Sequence, residues 1–160
     1  MNQGEDVAAV SAARATSAQD KQNNRGDCDL LTEAELDAAF GGKLSFGNFQ
    51  GYRQRGSGCT VPTVGVEGQF ILQAQTKESF EAHRDTYQTY AGQSLATMTP
   101  VSVGVEGYLV NDAQIIAIDD QGRAISVALQ VFVFGGDPPV TKQESAQGVE
   151  IIARQALERL

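Results

Sequence analysis

The sequence predicts an α+β fold, in which one antiparallel β-sheet is packed by about three helices. Segments with alternating apolar and polar residues, typical of half-buried strands, follow one another without the strand-helix alternation of a parallel sheet. Three segments with helical spacing and N-terminal capping signals lie among them. The 160 residues, 41% of them hydrophobic, suffice for one domain with its own core.

The first 27 residues differ in composition from the rest of the chain. Their only large aliphatic residues are Val7 and Val10, among Ala, Ser, Gln, Asn and charged residues. Such a segment cannot bury enough apolar area to offset the entropy that ordering costs. We interpret residues 1–27 as a disordered tether and residues 28–160 as the folded domain. A frayed terminus or a weak helix over residues 5–18 is the alternative.

The first helix of the domain has clear start and stop signals. Thr32 and Glu35 have the spacing of a capping box, and Gly41 follows the last apolar residue of the helix. A short strand over residues 43–46 comes next. The Gly-rich, basic loop at residues 47–58 (GNFQGYRQRGSG) is expected to face water.

A strand over residues 68–76 and a second helix follow the loop. The strand places Phe70, Leu72 and Ala74 on one side and polar residues mostly on the other. Thr76 is expected to cap the helix over residues 77–91. A stripe at helical spacing is predicted to pack on the sheet, and it contains Phe80, His83, Tyr87 and Ala91.

The next segments predict the rest of the sheet. An extended segment follows Pro100, a strand covers residues 114–118, and a turn at residues 119–122 leads into a long strand over residues 123–134. Phe132 and Phe134 make the far end of this strand apolar on both faces. We therefore expect that end to be covered on both faces.

The last helix begins with a second capping box. Pro138 and Pro139 end the sheet, and Thr141 and Glu144 have the capping spacing. One face is apolar and consists of Val149, Ile152, Ala153, Ala156, Leu157 and Leu160. On the other face Glu150 and Arg154 are spaced for an i,i+4 ion pair.

The charge of the chain argues against two classes of partner. The net charge is −8 and the pI is near 4.5, and such a chain is repelled by nucleic acid phosphates and by anionic lipid surfaces. No apolar run reaches the 18 residues of a membrane helix, and the N-terminus lacks the apolar core of a secretory signal. The sequence therefore predicts a soluble chain as written, without nucleic acid partners.

Two cysteines, Cys28 and Cys59, bear on the compartment. Two isolated cysteines in a cytosolic protein are usually small buried hydrophobic residues. Here a disulfide is favoured, since closing about 32 residues would remove denatured-state entropy worth roughly 3–4 kcal/mol. A single histidine argues against a zinc site, and no metal or cofactor is expected. A disulfide requires an oxidising compartment, which a leader removed from this sequence would explain.

Four features of residues 28–160 bear on the family. They are the run from Cys28 to Leu36 (CDLLTEAEL) with Gly41 after it, the pair Gly58-Cys59, the run VGVEGY at 103–108, and an Ala/Leu-rich last helix. Together they resemble the secreted bacterial lipoprotein domains of unknown function that begin Cys-x-Leu-Leu-Thr. The resemblance implies a PsbP-like sandwich, bridged cysteines, and an N-terminal tail that links the domain to a lipidated cysteine in the cell envelope.

The candidate chemistry is sparse. His83 could act as a general base, but no partner nucleophile is evident, and Asp119 and Asp120 are foremost turn residues. Tyr52, Arg53 and Arg55 lie in the exposed loop.

Two functional hypotheses follow. In the first, the chain is a non-enzymatic, tethered extracytoplasmic binding or assembly domain, whose unknown envelope partner docks on a sheet face or on the loop at residues 47–58. In the second, it is a small-molecule binder or enzyme with a pocket between the second helix and the sheet, lined by His83, Tyr87 and Tyr90.

Overall fold

The computed structural model of the chain describes residues 26–160, so most of the predicted tether lies outside the described residues. The helices are α1 (Glu33–Ala39), α2 (Lys77–Gly92) and α3 (Lys142–Glu158), and a 3₁₀ turn (Asp27–Leu30) precedes α1. The strands are β1 (Ser45–Phe46), β2 (Gln50–Gly51), β3 (Cys59–Val64), β4 (Glu67–Gln75), β5 (Met98–Pro100), β6 (Glu106–Val110), β7 (Gln114–Ile118) and β8 (Ala124–Phe132).

The strands form one antiparallel sheet of eight strands, which confirms the predicted α+β class. The order is β1–β3–β4–β8–β7–β6–β5, and β2 also pairs with β3. The longest ladder joins β4 to β8 and runs from Gln75↔Ala124 to Glu67↔Phe132. On its other side β8 pairs with β7 only from Ala124 to Ala128. The last residues of β8 therefore extend beyond the end of β7.

One face of the sheet, here called the covered face, packs against α1, α3 and the 3₁₀ turn. The α3 residues predicted to be apolar and buried supply much of this core, together with alternate residues of β4, β7 and β8. Helices α1 and α3 approach closely where Gly148 of α3 contacts the ring of Phe40, the C-cap residue of α1. A Cβ on Gly148 would lie 2.2 Å from a carbon of that ring. A larger residue at Gly148 would separate α1 from α3.

The opposite face is only partly covered, by α2. Phe80 of α2 packs into a small buried cluster with Ile116, Ile118 and Ala124. The predicted stripe on α2 is wrong at His83, which is exposed. Phe80, Tyr87 and Ala91 lie at i, i+7 and i+11, so they are at the centre of the helix face that packs on the sheet. His83 lies at the rim of that face.

The helix caps agree with the sequence. Thr32 with Glu35, and Thr141 with Glu144, form reciprocal capping boxes, and Thr76 caps α2. Gly41 has the left-handed φ of +64° that favours glycine after a helix. Within residues 26–160, none of the helices is both long enough and apolar enough to cross a membrane.

Two predictions about the strands are wrong. The long strand ends at Phe132, and its far end is not covered on both faces, because Phe132 is 54% exposed and Phe134 is 91% exposed. The second helix packs at Ala124, the other end of this strand, and β7 begins only opposite Ala128, so the far end also lacks a neighbouring strand on one side. The extended segment after Pro100 is interrupted by a turn, and β6 begins only at Glu106.

Candidate functional site

A disulfide joins Cys28 to Cys59, as the sequence predicted. Their Cα atoms lie 4.9 Å apart, and the bond links the 3₁₀ turn to the start of β3. Cys59 is fully buried in the core of the covered face. The bond therefore fixes the N-terminal end of the domain to the sheet.

Asp27, next to the disulfide, is a fully buried carboxylate. It accepts hydrogen bonds from the backbone N–H groups of Gly56 (2.9 Å), Gly58 (2.8 Å) and Ala74 (3.1 Å). A buried charge is tolerated where hydrogen bonds replace its lost hydration. The fold thus includes Gly26 and Asp27, two residues before the boundary that the sequence indicated.

The three predicted residues of the 47–58 loop have different environments. Tyr52 is 78% exposed and Arg53 is exposed, and both are free to meet a partner. Arg55 instead donates to the carbonyl oxygen of Gly26 (2.8 Å), and its guanidinium lies 3.9 Å from the Asp27 carboxylate. Tyr52 lines an open, shallow depression of about 560 Å³ with Phe49 and other loop residues.

The three predicted residues of α2 have different surroundings. Tyr87 donates from its hydroxyl to Gln114 Oε1 (3.1 Å), and the Gln75 amide contacts His83 Nδ1 (3.1 Å). Tyr90 is 44% exposed. Phe80 occupies the space between α2 and the sheet, so His83 and Tyr90 lie on the outside of the helix.

A cluster of polar residues fastens α2 to β6. Arg84 lies 3.4 Å from a carboxylate oxygen of Glu106, which also accepts a hydrogen bond from the Tyr108 hydroxyl (2.6 Å). This hydrogen bond to Glu106 and partial burial raise the pKa of the Tyr108 hydroxyl. The described residues contain no group of three or more His, Cys, Asp or Glu side chains that could hold a metal ion.

The acidic turn between β7 and β8 has a structural role. Asp119 accepts from the backbone N–H groups of Gln121 and Arg123, both at 2.9 Å, and from the Arg123 guanidinium at 2.8 Å. Burial works against ionisation, but these hydrogen bonds outweigh it and lower the pKa of Asp119. The carboxylate is therefore engaged in holding the turn.

The sequence predicted a sheet face as one docking surface without saying which part of the sheet is open. In the structure, half of the second sheet face is uncovered, and it is here called the open face. It is formed by side chains that alternate with the core residues of three adjacent strands, namely Thr60, Pro62, Val64, Glu67, Gln69, Ile71, Gln73, Ala128, Gln130 and Phe132. Gln69 and Gln130 pair across the strands through their amides (2.9 Å). Glu67 carries the charge of this set, whereas the whole chain has a net charge of −8.

One end of the open face is strongly apolar. Val64 is 58% exposed and Phe132 is 54% exposed, and Phe134 follows the strand end. Glu67, the charged residue of this face, lies opposite Phe132 at the same end. An exposed apolar patch next to polar side chains is typical of an interaction surface. The sequence signal for this exposed patch was the pair Phe132 and Phe134, which makes the end of β8 apolar on both faces. We interpreted that pattern as a sign of burial.

The chain was also compared with models of known protein families, with curated proteins and with solved structures, and none of these matches it.

Proposed function

We propose that this chain is a non-enzymatic binding or assembly domain whose partner docks on the open face. The observation that carries the proposal is the contrast between this surface and the rest of the acidic chain. The open face has one charged side chain and is apolar at one end, and no helix within residues 26–160 packs over it. Apart from Glu67, a partner can dock there without desolvating charged side chains, which would otherwise cost affinity.

We further infer that the domain works outside the cytoplasm, in the cell envelope. The Cys28–Cys59 disulfide supports this compartment, because such bonds persist in oxidising environments. The composition of residues 1–27 suits a tether, and the sequence resemblance implies that a lipidated cysteine precedes it. A membrane contact would then be made by the lipid and not by the domain.

The docking surface can be tested by placing charge on it. The variant Ile71→Glu/Gln130→Lys adds charge in the centre of the open face, at positions that are not in the buried core. The matched control Tyr52→Ala/Arg53→Ala changes the exposed loop instead. Each protein is crosslinked in intact cells of the source organism and captured, and the captured proteins are quantified by mass spectrometry.

We expect the open-face variant to lose, at least tenfold, an envelope protein that the wild-type chain and the loop variant both capture. Circular dichroism and urea unfolding check that each variant folds. Loss in the loop variant alone would place the partner on the loop at residues 47–58, and equal capture by all three chains would contradict docking on either surface.

A further inference from the structure

The end of β8 has a free backbone edge. The N–H of Leu129 donates to the carbonyl oxygen of Ala113 (2.9 Å) on the β7 side. Because backbone groups of an antiparallel strand point alternately to its two sides, the N–H and C=O of Val131 also point to that side. The ladder between β7 and β8 stops at Gln114↔Ala128, so Val131 has no strand opposite it there.

The other side of the same segment is fully paired. Gln130 and Phe132 lie opposite Gln69 and Glu67 of β4. A Cβ on Gly68 would lie 2.2 Å from the carbonyl oxygen of Gln130, which shows how closely the two backbones approach. The strand end is therefore held in an extended form by β4 while its β7 side stays open.

The chain after β8 does not close this edge. Within residues 26–160, no backbone hydrogen bond outside the helices and strands involves residues 133–140. Natural proteins usually protect a free edge with a lysine, a proline or a covering loop, and an edge without a backbone partner is a template for pairing. Here Val131, Phe132 and Val133 form the edge. Pro138 and Lys142 lie beside it, but the loop that holds Pro138 makes no backbone hydrogen bond to it.

A cavity of about 180 Å³ adjoins the edge on the covered-face side. Its apolar lining comes from Leu129, Val131, Pro138 and Val140, and Asp112 and Lys142 lie among its polar lining residues. Neither Asp112 nor Lys142 makes an ion pair with another residue of the described chain. Such a cavity can accept one branched aliphatic side chain, with charges of both signs beside it.

We propose that this edge binds an extended polypeptide segment of a partner, which adds a short strand to β8 in line with β7. Main-chain hydrogen bonds to Val131 would hold the segment, and an aliphatic side chain would enter the cavity. The inference goes beyond docking on the open face, because the cavity lies on the covered-face side of β8. The binding is expected to be weak, because the edge spans only about three residues, or about 10 Å.

A second copy of the chain fits the edge less well. Ala113 already occupies the position next to Leu129, so two β8 edges can overlap only around residues 131–133. An overlap of about 10 Å buries far less than the ~800 Å² per partner of a stable dimer. A free peptide meets no such obstacle and also reaches the cavity.

The test uses amide hydrogen exchange, read residue by residue by NMR on the ¹⁵N-labelled chain. The probe is the capped peptide acetyl-Thr-Val-Thr-Leu-Thr-amide, and its fully N-methylated form is the control. In the free chain we expect slow exchange at the Gln130 amide and fast exchange at the Val131 amide. Saturating probe should slow the Val131 amide at least tenfold, and the methylated peptide should not.

Two variants sharpen the result. Val133→Pro removes a backbone N–H group from the edge and should lower the affinity for the probe at least tenfold. Phe134→Ala changes an exposed side chain and should leave that affinity within about twofold of wild type. Urea unfolding checks both folds. Slow Val131 exchange in the free dilute chain, protection that grows with protein concentration alone, or no protection by millimolar probe would each overturn the proposal.

The outcome is separable from that of the proposed function. In one case the open-face variant loses capture of the envelope protein while the probe does not protect the Val131 amide. That pair of results would support docking on the open face and contradict strand addition. Protection of Val131 with unchanged capture by every variant would do the reverse.

Discussion

The carboxylate of Asp27 accepts a hydrogen bond from the backbone N–H of Ala74, 47 residues further along the chain. Ala74 lies in β4, near its end, where β3 no longer runs alongside, because the ladder between β3 and β4 stops at Leu72. The side chain of Asp27 thus accepts the backbone hydrogen bond of β4 that a neighbouring strand would otherwise accept. It also accepts from Gly56 and Gly58, which fixes the end of the 47–58 loop.

We predict that Asp27→Asn destabilises the domain by about 3 kcal/mol, because the amide cannot accept from all three donors and leaves buried N–H groups unpaired. Urea unfolding followed by circular dichroism measures the change. The matched control is Asp37→Asn on the exposed side of α1, which should shift the free energy of unfolding by less than about 0.5 kcal/mol. Equal effects of the two variants would refute the role of Asp27.

Replacing both cysteines with alanine should lower the free energy of unfolding by about 3–4 kcal/mol, since the bond closes a loop between residues 31 positions apart. The measurement is urea unfolding with and without dithiothreitol. Reductant should destabilise the wild-type chain and leave the alanine variant unchanged. A wild-type chain whose disulfide is fully reduced and whose unfolding midpoint does not change would contradict this prediction.

Gly148→Ala is expected to destabilise the domain by about 1–3 kcal/mol, although alanine favours a helix by up to about 1 kcal/mol over glycine. The clash with Phe40 outweighs that preference, because the new Cβ would lie 2.2 Å from a ring carbon. Gly92→Ala, at the end of α2, is the control, because no atom beyond its chain neighbours and its own helix backbone lies within 4 Å of the new Cβ. It should be neutral or slightly stabilising in thermal unfolding, and a stabilised Gly148 variant would show that the helices can separate freely.

The ion pair between Glu35 and Arg159 predicts a specific pH dependence. Hydrogen bonds from the Arg159 guanidinium and from the Thr32 backbone lower the pKa of Glu35 from 4.5 to about 2. Because this pKa is lower in the folded chain than in the unfolded chain, the pair stabilises the fold above pH 4.5. That contribution is lost as the pH falls from 4.5 through 2.

Arg159→Gln should therefore cost about 1 kcal/mol at pH 7, a small value because Arg159 is 40% exposed and solvent screens the pair. The difference from wild type should shrink steadily below pH 4.5. Urea unfolding from pH 2 to pH 7 tests this, with Arg53→Gln in the exposed loop as the control. A difference that stays constant down to pH 2 would show that Arg159 acts through packing or through its bond to the Leu30 carbonyl instead.

Local signals in the sequence were sufficient for much of the fold. Thr32, Thr76 and Thr141 marked the three helix starts because capping depends on residues only three positions apart. The i,i+4 pair of Glu150 and Arg154 formed for the same reason, with 2.5 Å between the charged groups. Alternation in β4 was enough to predict that Phe70, Leu72 and Ala74 face the core.

The features that the sequence did not predict depend on long-range register. The apolar run that continues to Phe134 carries no information about where β7 begins or where α2 packs, so the exposure of the strand end could not be predicted. Likewise, nothing near Asp27 indicates that its three hydrogen-bond donors come from residues 56–74. The open face and the free edge of β8 also depend on long-range register. For that reason their residues differ from the candidates that residue type alone suggested.

The position of the disulfide also has a mechanical consequence. The described chain begins at Gly26, and two residues later Cys28 is covalently attached to β3. A pull on the residues before Gly26 enters the 3₁₀ turn and is passed through sulfur to the sheet at Cys28, so it bypasses α1. Tension from that direction therefore does not act along the first helix, and it acts instead on β3 and on the strands that pair with it.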